Sequence, residues 1–293
     1  MFAVEQLYLI DSKVNQAVDY LVLGSLTLDV LPDGSSVLGG TAAYAGSMAH
    51  ALGQRAGIVA AVAPDADLTA LAGIPLAVQP AAVSTVYENR YTAEGRVQYL
   101  HHRTDDLKFE TVPVAWRAPR IVHIGPLAHD VDPALLAHFP NALRGLTAQG
   151  WLRRWDAGGR VTRCAWPQAE AVLPAADVVV LSIEDVQGDW AAVEPWAKLT
   201  RILVVTEAER GATVFAAGAR RQFGAPRVAV VDPTGAGDMF AAAFLIFYQR
   251  TRDPWSAARF AIELASVSVT RAGLLGVPAA GEIAAAEAAA RAG

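Results

Sequence analysis

Asp238 follows three small residues, Gly235-Ala236-Gly237, which come after the turn Asp232-Pro233-Thr234 and open an Ala/Phe-rich run reaching Tyr248. The run is long enough for about four turns of helix, and the apolar stretch 228–231 before it reads as the end of a strand. With no side chain at 235 and 237 and only a methyl at 236, the first N–H groups of the helix lie bare and carry the positive end of its dipole. That is a site for an anion. A carboxylate in the same turn does not help to bind a phosphate. It suits a base that takes a proton from a hydroxyl while the glycine amides hold the charge on a transferring phosphoryl group. Dipole compensation alone would also place an acid in this turn, and Gly-x-Gly turns also serve tight packing.

The string DPTGAGDMF at 232–240 resembles the C-terminal signature of the ribokinase/PfkB carbohydrate kinase family. The resemblance implies an α/β fold, a ribokinase-like three-layer architecture with a doubly wound, mostly parallel sheet and a small β lid. It also implies transfer of the γ-phosphoryl group of ATP to an alcohol, with Asp238 as base, Gly235, Ala236 and Gly237 as anion hole, Mg2+ as cofactor and a monovalent cation in some members.

Other elements must bring a hydroxyl to that base. Residues 19–28 read as one fully buried strand, and Asp29 stands where its apolar run stops, in the region beyond strand ends where ligands gather in open parallel sheets. By spacing alone Asp29 is either a turn acid or a ligand. The G-S-x-x-x-D pattern resembles the family element whose Asp accepts hydrogen bonds from substrate hydroxyls. Gly39-Gly40-Thr41 opens a helix running to about residue 52, and the glycines let a polyol press against amides at its start. Thr41 and Tyr44 stand where sugar kinases of the family often carry Asn, so ribose or fructose specificity is not inherited.

Between 84 and 100 the period changes. Residues 84–91 and 96–100 have strand composition with the turn 92–95 between them. A hairpin inserted in an α/β chain is usually a cover, and the resemblance implies a small lid over the substrate that closes to exclude water during transfer. Asn89, Tyr91 and Gln98 are placed to reach a substrate from it. A lid of about 29–38 and 84–104 is thus expected on a single domain, 1–293. Strands are expected again at 120–124, 144–148, 177–181 and 201–206. Gln149 is a further substrate candidate, Arg153 and Arg154 either touch phosphate or solvate a loop, and 151–155 reads as surface packing. Ser182-Ile183-Glu184-Asp185 resembles the family's N-x-x-E, which organises magnesium and its waters. The same residues suit a helix N-cap. Residues 206–211 resemble its T-x-G-x-x-G turn, with Ala208 at the middle glycine. The resemblance makes Ser182, Thr206, Gly211, Thr234, Gly237 and Ala265 the nucleotide-binding candidates, with Asp185 and Glu184 for the metal.

At 293 residues the chain suits one large α/β domain or two small ones, and 53% hydrophobic against 18% charged residues supply a sizeable core. A net charge of −5 with no basic run beyond the pairs 153–154 and 220–221 excludes a nucleic-acid footprint. The single cysteine, Cys164, makes no internal disulfide. Without a basic-then-apolar leader or an apolar stretch of about 20 residues, the expected location is cytoplasmic and away from membranes. His101 and His102 do not complete a metal-ligand spacing. The expected partner is a small sugar or cyclitol, the form of the motif being similar to the myo-inositol kinase branch. The alternatives are a nucleoside kinase, or a non-catalytic sensor, which the departures at Ser182, Asp185 and Ala208 would suit. The chain is expected as a monomer or as a homodimer joined through lid strands.

Overall fold

The computed structural model describes residues 8–9, 12–92 and 95–292. Its first eight strands are β1 (Tyr8–Leu9), β2 (Tyr20–Gly24), β3 (Thr27–Val30), β4 (Ser36–Gly39), β5 (Ala56–Val62), β6 (Leu76–Pro80), β7 (Thr85–Thr92) and β8 (Gly95–His102). There follow β9 (Ile121–Gly125), β10 (Leu143–Thr147), β11 (Arg153–Trp155), β12 (Val161–Arg163), β13 (Val178–Ser182), β14 (Ile202–Thr206), β15 (Ala212–Ala216) and β16 (Ala219–Phe223). The helices are α1 (Thr41–Ala51), α2 (Ala169–Val172), α3 (Trp190–Ala197), α4 (Ala236–Thr251), α5 (Pro254–Ser268) and α6 (Ala280–Ala292).

Strands such as β13 (VVVLS) and β14 (ILVVT) are apolar at consecutive positions because both faces of their sheet are covered. The main sheet runs β1-β6-β5-β2-β9-β10-β13-β14-β15-β16, parallel from β6 to β14 and antiparallel at both edges. The chain builds outward from β2 through β5 to β6, then returns to lay β9 on the other side of β2. The topological switch therefore lies between β2 and β9. Tyr20, Val22, Ile58, Val180 and Val204 point to one face, packed with α1, α4 and α5. Leu21, Leu23, Val59, Val179 and Leu203 point to the other, packed with Trp116, Trp151 and Trp166.

Every residue of α4 from Met239 to Tyr248 is buried, since the helix lies between the sheet and two other helices. Phe247 of α4 stacks on Phe260 of α5 at 4.5 Å. At the switch, Gly24 pairs with Gly125. A Cβ on Gly125 would overlap the Thr41 side chain, so the bare backbone there lets the start of α1 settle directly onto the strand ends.

A second sheet, β4-β3-β7-β8, leaves the body where β2 ends. β3 pairs antiparallel with β4 and parallel with β7, and β7 and β8 form the hairpin, with an irregularity between Val86 and Tyr87. A third, two-stranded ribbon of β11 and β12 is tied to β8 by Leu100 N–H donating to the Gly159 carbonyl at 2.8 Å and by a bridge between Tyr99 and Arg160.

Three expectations are corrected. The stretch 19–28 is two strands in two sheets, broken at Ser25 and Leu26, so Asp29 lies inside β3 and not beyond a strand of the main sheet. Residues 228–231 form no strand. Val231 and Asp232 give their N–H groups to the Val269 carbonyl at the end of α5, and Val230 and Val231 are exposed. Trp151 and Leu152 are core, not surface, with Trp151 stacked on Trp166 at 5.2 Å. The strand β6, preceded by Gly73 and Pro75, is an element beyond those expected. The turn residues Ala93 and Glu94 and the side chain of Tyr91 lie outside the described residues.

Ala208 takes φ 51°, the left-handed region. An L-residue there costs about 1 kcal/mol or more, whereas glycine does not. We expect Ala208→Gly to raise stability by about 1 kcal/mol in urea unfolding, with an unchanged denaturant slope. A loss of stability would contradict the turn geometry.

Candidate active site

Gly235 is the N-cap of α4 and takes φ 75°. The ring of Tyr44, from α1, fills the space that a side chain at 235 would need. The space a side chain on Gly237 would occupy is open, with nothing within 4 Å. The first bond of this turn runs from Met239 N–H to the Gly235 carbonyl at 2.9 Å, so the amides of Gly237 and Asp238 precede it. Ala236 differs from expectation, since its N–H already meets the Pro233 carbonyl at 3.3 Å. Asp232 holds the approach to the turn, accepting from Thr234 N–H and from Gly273 N–H, each at 2.9 Å.

The Asp238 side chain keeps part of its surface open, yet dense surroundings desolvate the carboxyl. Its pKa is pushed up to about 6, first by burial. A hydrogen bond from Thr41 and the positive charge of Arg153 pull it down, while Asp185 and Asp29 push it up. Three carboxylates and one guanidinium thus act on one another across the strand ends. Burial, and after it the charges of Asp29, Asp232 and Asp238, raise the Tyr44 hydroxyl far above the usual range.

On the second sheet, Asp29 accepts from the Thr27 hydroxyl at 2.9 Å. A Cβ on Gly39 would lie 2.5 Å from the Asp29 carboxylate, so the glycine permits the carboxylate to lie against backbone. Gly40 caps α1 at φ 92° beside the Ser25 carbonyl. The register Asp29↔Tyr87 and Asn89↔Gln98 puts Asp29, Tyr87 and Asn89 on one face. There the Gln98 amide donates to Asn89 at 3.1 Å. Thr41, expected to touch a substrate, is 1% exposed and gives its hydroxyl to Asp238. Its place is behind the carboxylate.

At the ends of β13 and β14, Ser182 and Thr206 are register partners. The Ser182 hydroxyl accepts from Glu184 N–H, and Asp185 accepts from Ser182 N–H at 2.9 Å, which forms a capping box. Gln149 donates its amide to the other Asp185 oxygen at 3.3 Å, so its side chain sits beside the carboxylate cluster and is not spread over an open pocket. With both Asp185 oxygens engaged, Asp185 and the exposed Glu184 suit a magnesium ion held through water; among the described residues no cluster of three or more metal-ligating side chains occurs. Gly211 closes the turn after Thr206, its carbonyl accepting from Glu207 N–H at 2.7 Å. Ala265 lies half-buried near the end of α5, where its carbonyl accepts from the Ser268 hydroxyl.

The structure therefore brings Asp238, Thr41, Asp29, Asp185 and Gln149 into one cluster, with Ser182 and Thr206 at its border. Arg153, which the sequence left as either touching phosphate or solvating a loop, and Asp232, which it did not single out, belong to this constellation. No helix among the described residues is long and apolar enough to cross a membrane.

Residues 165–279 match the model of the pfkB family carbohydrate kinases. A cytidine kinase of Thermococcus kodakarensis is 27% identical over 274 residues, covering 85% of this chain and 95% of that protein. Fructokinase-2 of Solanum lycopersicum is 27% identical over 173 residues, 52% of each chain, so this chain is matched to about half the length of that relative. In fold, the chain is similar to a pyrophosphate-dependent kinase in the ribokinase family complexed with a pyrophosphate analogue and myo-inositol. The TM-score is 0.74 at 21% identity over 88% of this chain and all of that one.

The raised pKa of Asp238 has a consequence for stability. The folded chain holds this proton up to about pH 6, whereas an unfolded chain releases it near pH 4. Stability falls as pH rises between those values and stays reduced above them. Asp238→Asn should raise the melting temperature at pH 7.5, and the gain should vanish below about pH 4. A lower melting temperature for the variant at pH 7.5 would contradict the desolvated placement.

Proposed function

We propose that this chain, a ribokinase-like phosphotransferase that carries a pfkB-family carbohydrate kinase domain and acts on an alcohol group, transfers the γ-phosphoryl group of ATP to a hydroxyl of a small polyhydroxylated substrate. One observation carries the reading: a carboxylate with a pKa of about 6 stands in the first turn of a helix whose leading edge is open at Gly237. A base poised near the working pH combines availability with driving force for proton removal.

In this reading the acceptor lies between the two sheets. Asp29 accepts hydrogen bonds from its hydroxyls, Gly39 and Gly40 let it approach backbone, and Asn89 and Gln98 reach it from the second sheet, which serves as the lid. Asp238 takes the proton from the reacting hydroxyl, and Thr41 holds the carboxylate in place. The amides of Gly237 and Asp238, in the turn that Gly235 opens, face the charge on the transferring group. Ser182, Thr206, Gly211, Thr234 and Ala265 border the donor. Magnesium, bound through water near Asp185 and Glu184, would neutralise donor phosphate charge.

The acceptor we favour is a cyclitol, myo-inositol in particular. It is supported by the motif form VDPTGAGD, by the absence of asparagine at 41 and 44, and by the fold similarity to a kinase whose structure contains myo-inositol. That neighbour is pyrophosphate-dependent, which makes pyrophosphate the second donor to examine. The cytidine kinase relative makes a nucleoside the second acceptor class. A cytoplasmic location and a monomer or a lid-joined dimer go with this reading.

Purified protein should phosphorylate at least one of myo-inositol, fructose, ribose and cytidine with ATP or pyrophosphate. Asp238→Asn should lower turnover by about 10²–10⁴ with nucleotide affinity unchanged. Near-normal turnover in that variant rejects Asp238 as base. Ligand binding without product from any acceptor and donor would favour a sensor.

A further inference from the structure

The second sheet leaves the body at Ser25-Leu26, between β2 and β3, and both residues are buried. The Ser25 carbonyl accepts from Ala42 N–H, in the first turn of α1, at 3.1 Å. Its hydroxyl donates to the carboxylate of Asp130, which is 3% exposed in the loop after β9. The other Asp130 oxygen accepts from Leu127 N–H at 3.0 Å and from Ala128 N–H at 3.1 Å. Leu127 N–H is shared with the Ser25 hydroxyl oxygen, also at 3.1 Å. One buried carboxylate therefore fixes the point at which the chain turns from the main sheet into the second.

The loop that Asp130 shapes meets the second sheet again. The Leu127 carbonyl accepts from the Tyr87 hydroxyl at 2.7 Å, and Leu127 and Ala128 form a small buried core with Tyr87 and Leu100. The Asp130 carbonyl accepts from Leu107 N–H at 2.8 Å, in the segment that follows β8. Tyr87 is the register partner of Asp29 and lies two residues before Asn89 on the same strand face. A shift of Tyr87 or of Ser25 therefore carries Asp29 and Asn89 with it, whereas Asp238 stays with α4 on the body. Where the chain enters and leaves the hairpin, the ties are neutral. The Ser84 hydroxyl accepts from Ala63 N–H, and the Thr85 hydroxyl accepts from Thr104 N–H, each at 3.1 Å. Asp130 supplies the ionisable group of this foot, and hydrogen bonds to such a group are the stronger kind.

We propose that Asp130 is a positioning residue for the acceptor: by holding Ser25 and the Leu127 backbone together, it sets the separation between Asp29 and Asn89 on the lid and Asp238 on the body. The inference rests on the kinase reading above. Without the carboxylate, two backbone N–H groups and one hydroxyl lose their buried partner, and the foot of the lid re-forms in another geometry. A misplacement of about 1 Å far from the chemistry is enough to cost about 10²-fold in rate. The strand ends that border the donor, at β13 and β14, take no part in this linkage. A displaced lid also admits water, which then accepts the phosphoryl group in place of the substrate hydroxyl.

The test uses the full chain with the acceptor and donor found active for the wild type. Asp130→Ala should lower kcat/KM for the acceptor by about 10²-fold and leave the donor KM unchanged. The donor consumed per acceptor phosphorylated should rise, a change that a merely structural loss of folded protein does not produce. Asp130→Asn should recover most of the loss, since its amide accepts from the two N–H groups and donates to Ser25. Ser25→Ala, which removes one hydrogen bond to the carboxylate, should lower acceptor kcat/KM by about tenfold. If Asp130→Ala does not fold, Ser25→Ala is read in the same way. A folded variant with acceptor kcat/KM and donor stoichiometry like the wild type overturns the proposal, and so does a loss that falls equally on acceptor and donor. Should the wild type transfer phosphate to nothing, the kinase reading fails first and takes this inference with it. An active wild type with an inactive Asp238→Asn and an unimpaired Asp130→Ala overturns the inference alone.

Discussion

Two helix N-termini must meet over the strand ends of one sheet, and the contact that permits this is the ring of Tyr44 lying where Gly235 has no side chain. Any side chain at 235 would push α4 off α1, and the first turn of α4 would no longer face the switch between β2 and β9. Gly125 does the same service one layer down, where it leaves room for Thr41. Close packing of this kind tolerates little displacement. It fixes the position of Asp238 by way of Thr41 and so decides how far the carboxylate is removed from water.

Desolvation and like charge then oppose the Thr41 hydrogen bond and Arg153, and the balance leaves Asp238 as a base near neutrality. Asp185 and Asp29 add to the cost of ionising Asp238. A cation, or a substrate hydroxyl that takes a carboxylate's hydrogen bond, relieves it. Function here costs stability, as at many sites where ionisable groups are crowded. The body can bear that cost because α4 is buried along ten residues, from Met239 to Tyr248, between the sheet, α1 and α5.

Much of this was legible from local signals. Gly235 to Asp238 announce a helix start, alternation in 84–100 announces a hairpin, and apolar runs announce β5, β9, β10, β13 and β14. The failures share a cause in contacts between distant parts of the chain. Residues 228–231 look like a strand, yet their backbone is claimed by Val269 at the end of α5. The stretch 19–28 is continuous in hydrophobicity, and only the second sheet, built from residues about 60 positions later, shows that it bends. Arg153 reaches the site because a ribbon docks at Leu100, which no local pattern around 153 reveals. At Ala208 the sequence departs from the glycine of the motif it resembles, while the backbone keeps a left-handed conformation.

The central claim is that Asp238 is a desolvated carboxylate poised as a base. It is tested most directly by following the side-chain carboxyl carbons of aspartate in the folded protein by NMR as pH is varied, with Asp238→Asn to assign the signal. The account predicts one resonance titrating near pH 6 that disappears in the variant. A resonance assigned to Asp238 that titrates near pH 4, as in an exposed aspartate, would contradict it.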